Sequence, residues 1–102
     1  MFARVAIYEV PGHRAADAVD GFREAIEQIE EMEGLREAYM LISPESGRAL
    51  TMTIWGSRDA MERSRVRASR LRSEAAKSVE GGVFSVEEYQ IAVHETVDGT
   101  TQ

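Results

Sequence analysis

Thr51, Thr53 and Trp55 alternate along the run Thr51-Met52-Thr53-Ile54-Trp55-Gly56-Ser57. In an extended strand that spacing puts both hydroxyls and the chain's only tryptophan on one face. An indole is a flat wall on which an aromatic ligand can stack, and threonine hydroxyls are weak hydrogen-bond donors beside it. A tryptophan at a strand end is equally suited to a core beneath helices, and the residue types leave both roles open. Ala6 shares this face, while the helix expected opposite offers Ser64, Ala68 and Ala75. Small residues facing small residues mean either close helix-on-sheet packing or a cavity.

Other chemistry is scarce. The chain has no cysteine, which excludes disulfides, iron–sulfur clusters and thiolate zinc sites. His13 and His94 stand alone, without a second imidazole or carboxylate at helical or strand spacing, so no metal site is expected. Glu87 and Glu88 are adjacent in a strand and point to opposite faces, which fits an exposed bulge better than an acid–base pair. Seven cations, Arg58, Arg63, Arg65, Arg67, Arg70, Arg72 and Lys77, crowd one helix. The net charge of −6 opposes a nucleic-acid or anionic-membrane partner, and the acidic first helix is expected to meet these cations across the groove between the helices.

The positioning elements follow from periodicity. Residues 2–10 alternate Ala3, Val5 and Ile7 with Phe2, Arg4, Ala6, Tyr8 and Val10, a strand buried on both faces and ended by Pro11-Gly12. Between 14 and 32, Ala15, Ala18, Val19, Phe22, Ala25, Ile26 and Ile29 keep helical spacing, with Gly21 the weak point and Gly34 the stop. Strands over 35–43 and 48–55 flank a turn set by Pro44, with Gly47 free to take positive φ. Ser57 caps a helix running to about 79, Gly81-Gly82 stops it, and 83–94 reads as the last strand, alternating Tyr89, Ile91 and Val93.

The order β-α-β-β-α-β predicts an α+β, ferredoxin-like domain over residues 1–95, a four-stranded antiparallel sheet with two helices on one face, followed by a polar tail over 96–102. Val5, Ile7, Leu50, Met52 and Ile54 then lie on the uncovered face, and a second copy is the economical cover, giving a homodimer. No apolar run nears the roughly 18 residues a membrane crossing needs, and Met1-Phe2-Ala3-Arg4 begins a strand rather than a leader. A soluble, cytoplasmic protein is expected.

Glu9-Val10-Pro11-Gly12, Gly34, Thr53-Ile54-Trp55-Gly56-Ser57 with Ala60 and Met61, and Glu87-Glu88-Tyr89 together resemble the antibiotic-biosynthesis-monooxygenase-like family of dimeric α/β barrels. The resemblance spans residues 2–94, with Trp55 and its following Gly-Ser the sharpest part. It implies a cofactor-independent monooxygenase acting on a phenol- or quinol-type aromatic, with a non-catalytic ligand-binding or accessory dimer as the alternative. Haem-degrading relatives use a first-strand asparagine and a histidine on the second helix. Here these positions hold Ala6 and no histidine, so neither haem nor another cofactor is implied. Polyketide-oxidising relatives use an asparagine four residues before the tryptophan and an early helical aromatic, which here are Thr51 and Met61. The implied pocket has Trp55 as stacking wall, Thr51, Thr53 and Ala6 beside it, and Arg65 or Arg72 supplying charge. No base is evident, since free tyrosines titrate near 10 and both histidines lie elsewhere.

Overall fold

The structure, a computed structural model, describes residues 1–43 and 45–98. Strand β1 (Phe2–Glu9) leads through a short 3-10 turn (Gly12–Arg14) into helix α1 (Ala15–Ile29). Strands β2 (Leu35–Ile42) and β3 (Arg48–Trp55), helix α2 (Arg58–Ser78) and strand β4 (Gly82–Gln90) follow. The strands form one antiparallel sheet in the order β2-β3-β1-β4, the ferredoxin-like arrangement expected from the sequence. Both helices cover the face bearing Arg4, Ala6 and Tyr8.

Several boundaries shift for local reasons. Helix α1 ends at Ile29 rather than 32, because the chain tightens, with Met32 N–H donating to the Ile29 carbonyl at 2.9 Å, and Met32 packs against the cluster of Trp55, Ala60 and Met61. Gly34 sits at φ +91°, where a Cβ would lie 2.4 Å from that of Ala60, and its carbonyl accepts the Gly56 N–H at 2.8 Å. That latch brings the start of α2 against the start of β2. Ser57 caps α2 as expected, its hydroxyl accepting the Ala60 N–H at 3.1 Å.

The end of α2 differs from the expectation. The left-handed residue is Glu80, at φ +59°, and not a glycine. Gly81 is needed for close approach instead, since a Cβ there would stand 2.7 Å from the Glu9 carbonyl. Gly47 does take positive φ, at +74°, while Pro44, expected to set that turn, lies outside the described residues. Strand β4 stops at Gln90 because its sole partner β1 begins at Phe2; the last link is Ile91 N–H to the Met1 carbonyl at 2.9 Å. Val93 therefore has no ladder to join. Of the expected tail, 96–98 is exposed, and 99–102 lies outside the described residues.

Tyr8, Phe22, Ala18, Ala49, Ala75, Ala76 and Val79 form the larger core cluster, with the Tyr8 and Phe22 rings 4.4 Å apart between centroids. Trp55, Ala60 and Met61 form a second. On the opposite face, Val5, Ile7, Leu50 and Met52 are half-buried and Ile54 is buried. Register aligns Tyr39, Met52 and Val5 in one cross-strand row and Leu41, Leu50 and Ile7 in the next. Tyr39, Leu41 and Tyr89 are exposed. The opposite charges of the helices do not meet: among the described residues no ion pair joins α1 to α2. Small groups, Gly21 and Ser78, come together there.

Candidate functional site

Antiparallel register stacks Arg4 beside Thr53, Ala6 beside Thr51 and Tyr8 beside Ala49 on the helix-facing side of the sheet. Between these residues and the helices lies a cavity of about 40 Å³. Arg4, Ala6, Tyr8, Thr51 and Thr53 form its floor, Phe22, Ala25, Ile26 and Ile29 its α1 wall, and Ala68, Leu71 and Arg72 its α2 wall. Four predicted residues, Ala6, Thr51, Thr53 and Arg72, thus come together, and the small side chains meeting there leave a void.

Arg72 is half-buried and makes no hydrogen bond or ion pair among the described residues. Burial pushes its guanidinium down from the usual arginine value, opposed by the nearby Tyr8 and Glu88 and assisted by Arg4. Arginine remains cationic at neutral pH even so. Tyr8, only 1% exposed, shares a 2.8 Å hydrogen bond between its hydroxyl and Thr51 Oγ1. Burial pushes its phenol up to about 12, against the lowering effects of Thr51 and Arg72. Tyr8 is thus a neutral hydroxyl across the physiological range and serves the cavity as a hydrogen-bonding group rather than as a base.

Arg4 is buried, at 4% exposure, and fully engaged. It donates to Ser64 Oγ at 3.0 Å, to the Met61 carbonyl at 2.8 Å and to Glu88 Oε2 at 2.8 and 3.1 Å. Glu88 is shared, since Arg65 Nε donates to both of its oxygens at 3.1 Å. The Arg65 hydrogen bond first, and Arg4 after it, hold the Glu88 carboxyl below the usual range despite its partial burial. Arg65 is exposed, committed to Glu88 and absent from the cavity wall, so of the two candidate cations only Arg72 reaches the cavity.

Trp55 is 0% exposed and does not line the cavity. Its indole N–H donates to Thr53 Oγ1 at 2.9 Å, and the Arg4 guanidinium lies 5.8 Å from its ring centroid. It lies beside the cavity floor on the same side of the sheet, packed on Ala60 and Met61, fixing a threonine that faces the void and an arginine that joins sheet to helix. His13 and His94 are exposed and do not line the cavity. Among the described residues no group of three His, Asp or Glu side chains could hold a metal ion.

Three site residues escaped the sequence reading. Arg4 carried a signal, being a charge well inside a strand buried on both faces, whereas Glu9 stands at that strand's end. Tyr8 shared that face, but nothing local revealed a partner 43 residues away. Glu88, expected in an exposed bulge, faces the helices opposite Arg4, while the register irregularity falls at Ile7/Tyr8 and leaves Phe84 as the extra residue.

No family model matches the chain, and no curated protein sequence does. Solved structures do. One from Deinococcus radiodurans, provisionally named an antibiotic biosynthesis monooxygenase, aligns with TM-score 0.77 and 13% identity over 97% of this chain and 100% of that one. SnoaB of Streptomyces nogalater, named a cofactor-independent oxygenase, aligns with TM-score 0.73 and 14% identity over 94% and 95% of the two chains. A third, from Bordetella bronchiseptica and provisionally named like the first, aligns with TM-score 0.69 and 18% identity over 90% and 97%. The chain has the ferredoxin-like fold of the antibiotic biosynthesis monooxygenases, and the resemblance drawn from its sequence holds at the level of the fold. No helix of the described residues is long and apolar enough to cross a membrane.

Proposed function

We propose that the protein is a cofactor-independent monooxygenase whose site is the cavity between helices and sheet, taking a phenol- or quinol-type aromatic as its anion. The observation that carries this reading is Arg72, a half-buried guanidinium without a protein partner among the described residues, beside the Tyr8 hydroxyl on a lining whose other polar groups are Thr51, Thr53 and the already engaged Arg4. Ion pairing there favours a phenolate, and low local polarity strengthens the attraction. An electron-rich phenol bearing a free ring C–H supplies all four electrons that dioxygen accepts. One oxygen atom ends on the ring as the carbonyl of a quinone and the other as water, so no external reductant is required. With Tyr8 held neutral and Glu88 bound by two arginines, the described residues lining the cavity offer no strong base, and the substrate's own acidity, increased by Arg72, supplies the anion.

The reading includes a cytoplasmic homodimer joined sheet to sheet, for which the apolar rows through Val5, Ile7, Leu50, Met52 and Ile54 are the support. A void of about 40 Å³ lies far below the roughly 300 Å³ at which small-molecule pockets begin, so an aromatic guest requires the helix layer to move outward from the sheet. That volume favours a second reading, a non-catalytic accessory dimer on the same scaffold. Oxygen uptake with a panel of naphthols and dihydroxynaphthalenes separates the two. The oxygenase reading predicts one quinone per dioxygen consumed, at least tenfold less turnover in Arg72→Ala, and partial recovery in Arg72→Lys. Uptake no faster than the buffer background for every compound rejects it.

A further inference from the structure

We propose that a second copy of this chain docks on the helix layer through two rows of opposite charge, each row meeting the opposite row of the partner copy. On α2, Arg63, Arg67 and Arg70 follow i, i+4, i+7 spacing around Val66, which is 83% exposed. On α1, Asp20, Glu24 and Glu27 follow the same i, i+4, i+7 spacing and are exposed. The inward sides of these helices carry Phe22 and Ile29, and Ser64 and Leu71, so both rows point away from the sheet.

Within one copy the rows stay unmatched. Arg63, Arg67 and Arg70 make no ion pair among the described residues, and the acidic row has only Asp20 with its own neighbour Arg23, at 3.4 Å. Glu62 and Glu74 are exposed on α2 and pair with none of these arginines. Like charges one turn apart repel, so opposite charge brought to either row by a partner relieves that repulsion. A twofold axis lays α1 of each copy on α2 of the other, matches row to row twice, and closes the contact on itself. Val66 places an apolar group among the arginines that helps exclude water from them. The acidic row in the same layer and the net charge of −6 disfavour nucleic acid as the occupant. The contact uses the face opposite the sheet rows and does not depend on the catalytic reading.

Sedimentation velocity of the full chain at about 20 mM and about 500 mM salt, where screening lengths are about 20 Å and about 4 Å, tests it. The expected result is a low-salt species of at least twice the high-salt mass, growing further where a sheet-to-sheet dimer offers a helix layer on both of its outer sides. Arg63→Glu with Arg67→Glu removes that species, as does Glu24→Arg with Glu27→Arg, and mixing these two variants restores it. Arg67→Gln, a milder change, weakens the association several-fold with an unchanged thermal midpoint. Equal mass at both salt concentrations, variants that still associate, or a heavier species seen only with added RNA or DNA would overturn the proposal.

Discussion

Tyr8 shows how the chemistry of a single group depends on its surroundings. Two exposed tyrosines, Tyr39 and Tyr89, donate to Glu37 and Glu87 at 3.0 and 2.6 Å, and those hydrogen bonds raise their pKa values at the surface. Tyr8 is raised instead by burial, to about 12. The folded state therefore keeps a proton that the unfolded chain gives up near 10, so this contribution to stability is whole below pH 10 and is lost as pH rises through about 12. Chemical denaturation between these limits should show a loss of about 2–3 kcal/mol, which Tyr8→Phe removes. An unchanged pH dependence in Tyr8→Phe would contradict the assignment. Glu88 has the opposite sign: held ionised by Arg65 and Arg4, it stabilises above the usual carboxylate range and ceases to as pH falls through its lowered value. Strand spacing marked Thr51 and the family resemblance marked Arg65 or Arg72, but neither showed the commitment of Arg65 to Glu88, because side chains 23 residues apart meet only through the register of β4.

At the scale of elements, strand and helix identities were legible because burial imposes periods of about two and about 3.6 residues on apolar side chains. Ends were less so. Strand β4 stops where β1 gives out, and α2 ends at Ser78 shortly before the left-handed Glu80, facts of pairing and backbone that no local pattern near 90 or 80 expresses. Gly21 read as a weak point in α1, and the structure gives it room: a Cβ there would meet Ser78 Oγ at 3.6 Å, an ordinary contact. Gly21→Ala should therefore raise stability by about 0.5–1 kcal/mol, seen as a higher thermal midpoint. A lower midpoint would mean that α1 and α2 pack more tightly there than the structure has them. The same change tests whether ligand entry needs α1 to yield, since a stiffer helix should then slow binding.

For the whole molecule, the two faces of the sheet carry different tasks. The helix side holds the buried polar network from Arg4 to Glu88, whereas the other side presents apolar rows with Tyr39 and Leu41 exposed. The alternation in β1 and β3 made that division readable from the chain, and the cover of the outer side was inferred from its composition alone. In the proposed sheet-to-sheet dimer, Met52→Lys places an unpaired charge at the contact and should weaken association by several kcal/mol while each copy stays folded. Sedimentation equilibrium with circular dichroism checks both halves of that statement, and a folded, stable monomer before any substitution would reject the dimer.

The central claim, that Arg72 makes this cavity an anion site for aromatic molecules, is open to direct measurement. Trp55 is the only tryptophan, and its indole N–H is bonded to Thr53, which lines the void, so emission from Trp55 reports on what enters. Titrating naphthols at pH values below and above their own ionisation should give a saturable change in emission, tighter for the anion by about tenfold and abolished by Arg72→Ala. A linear, unsaturable response that is the same for both ionisation states and for Arg72→Ala would contradict the account.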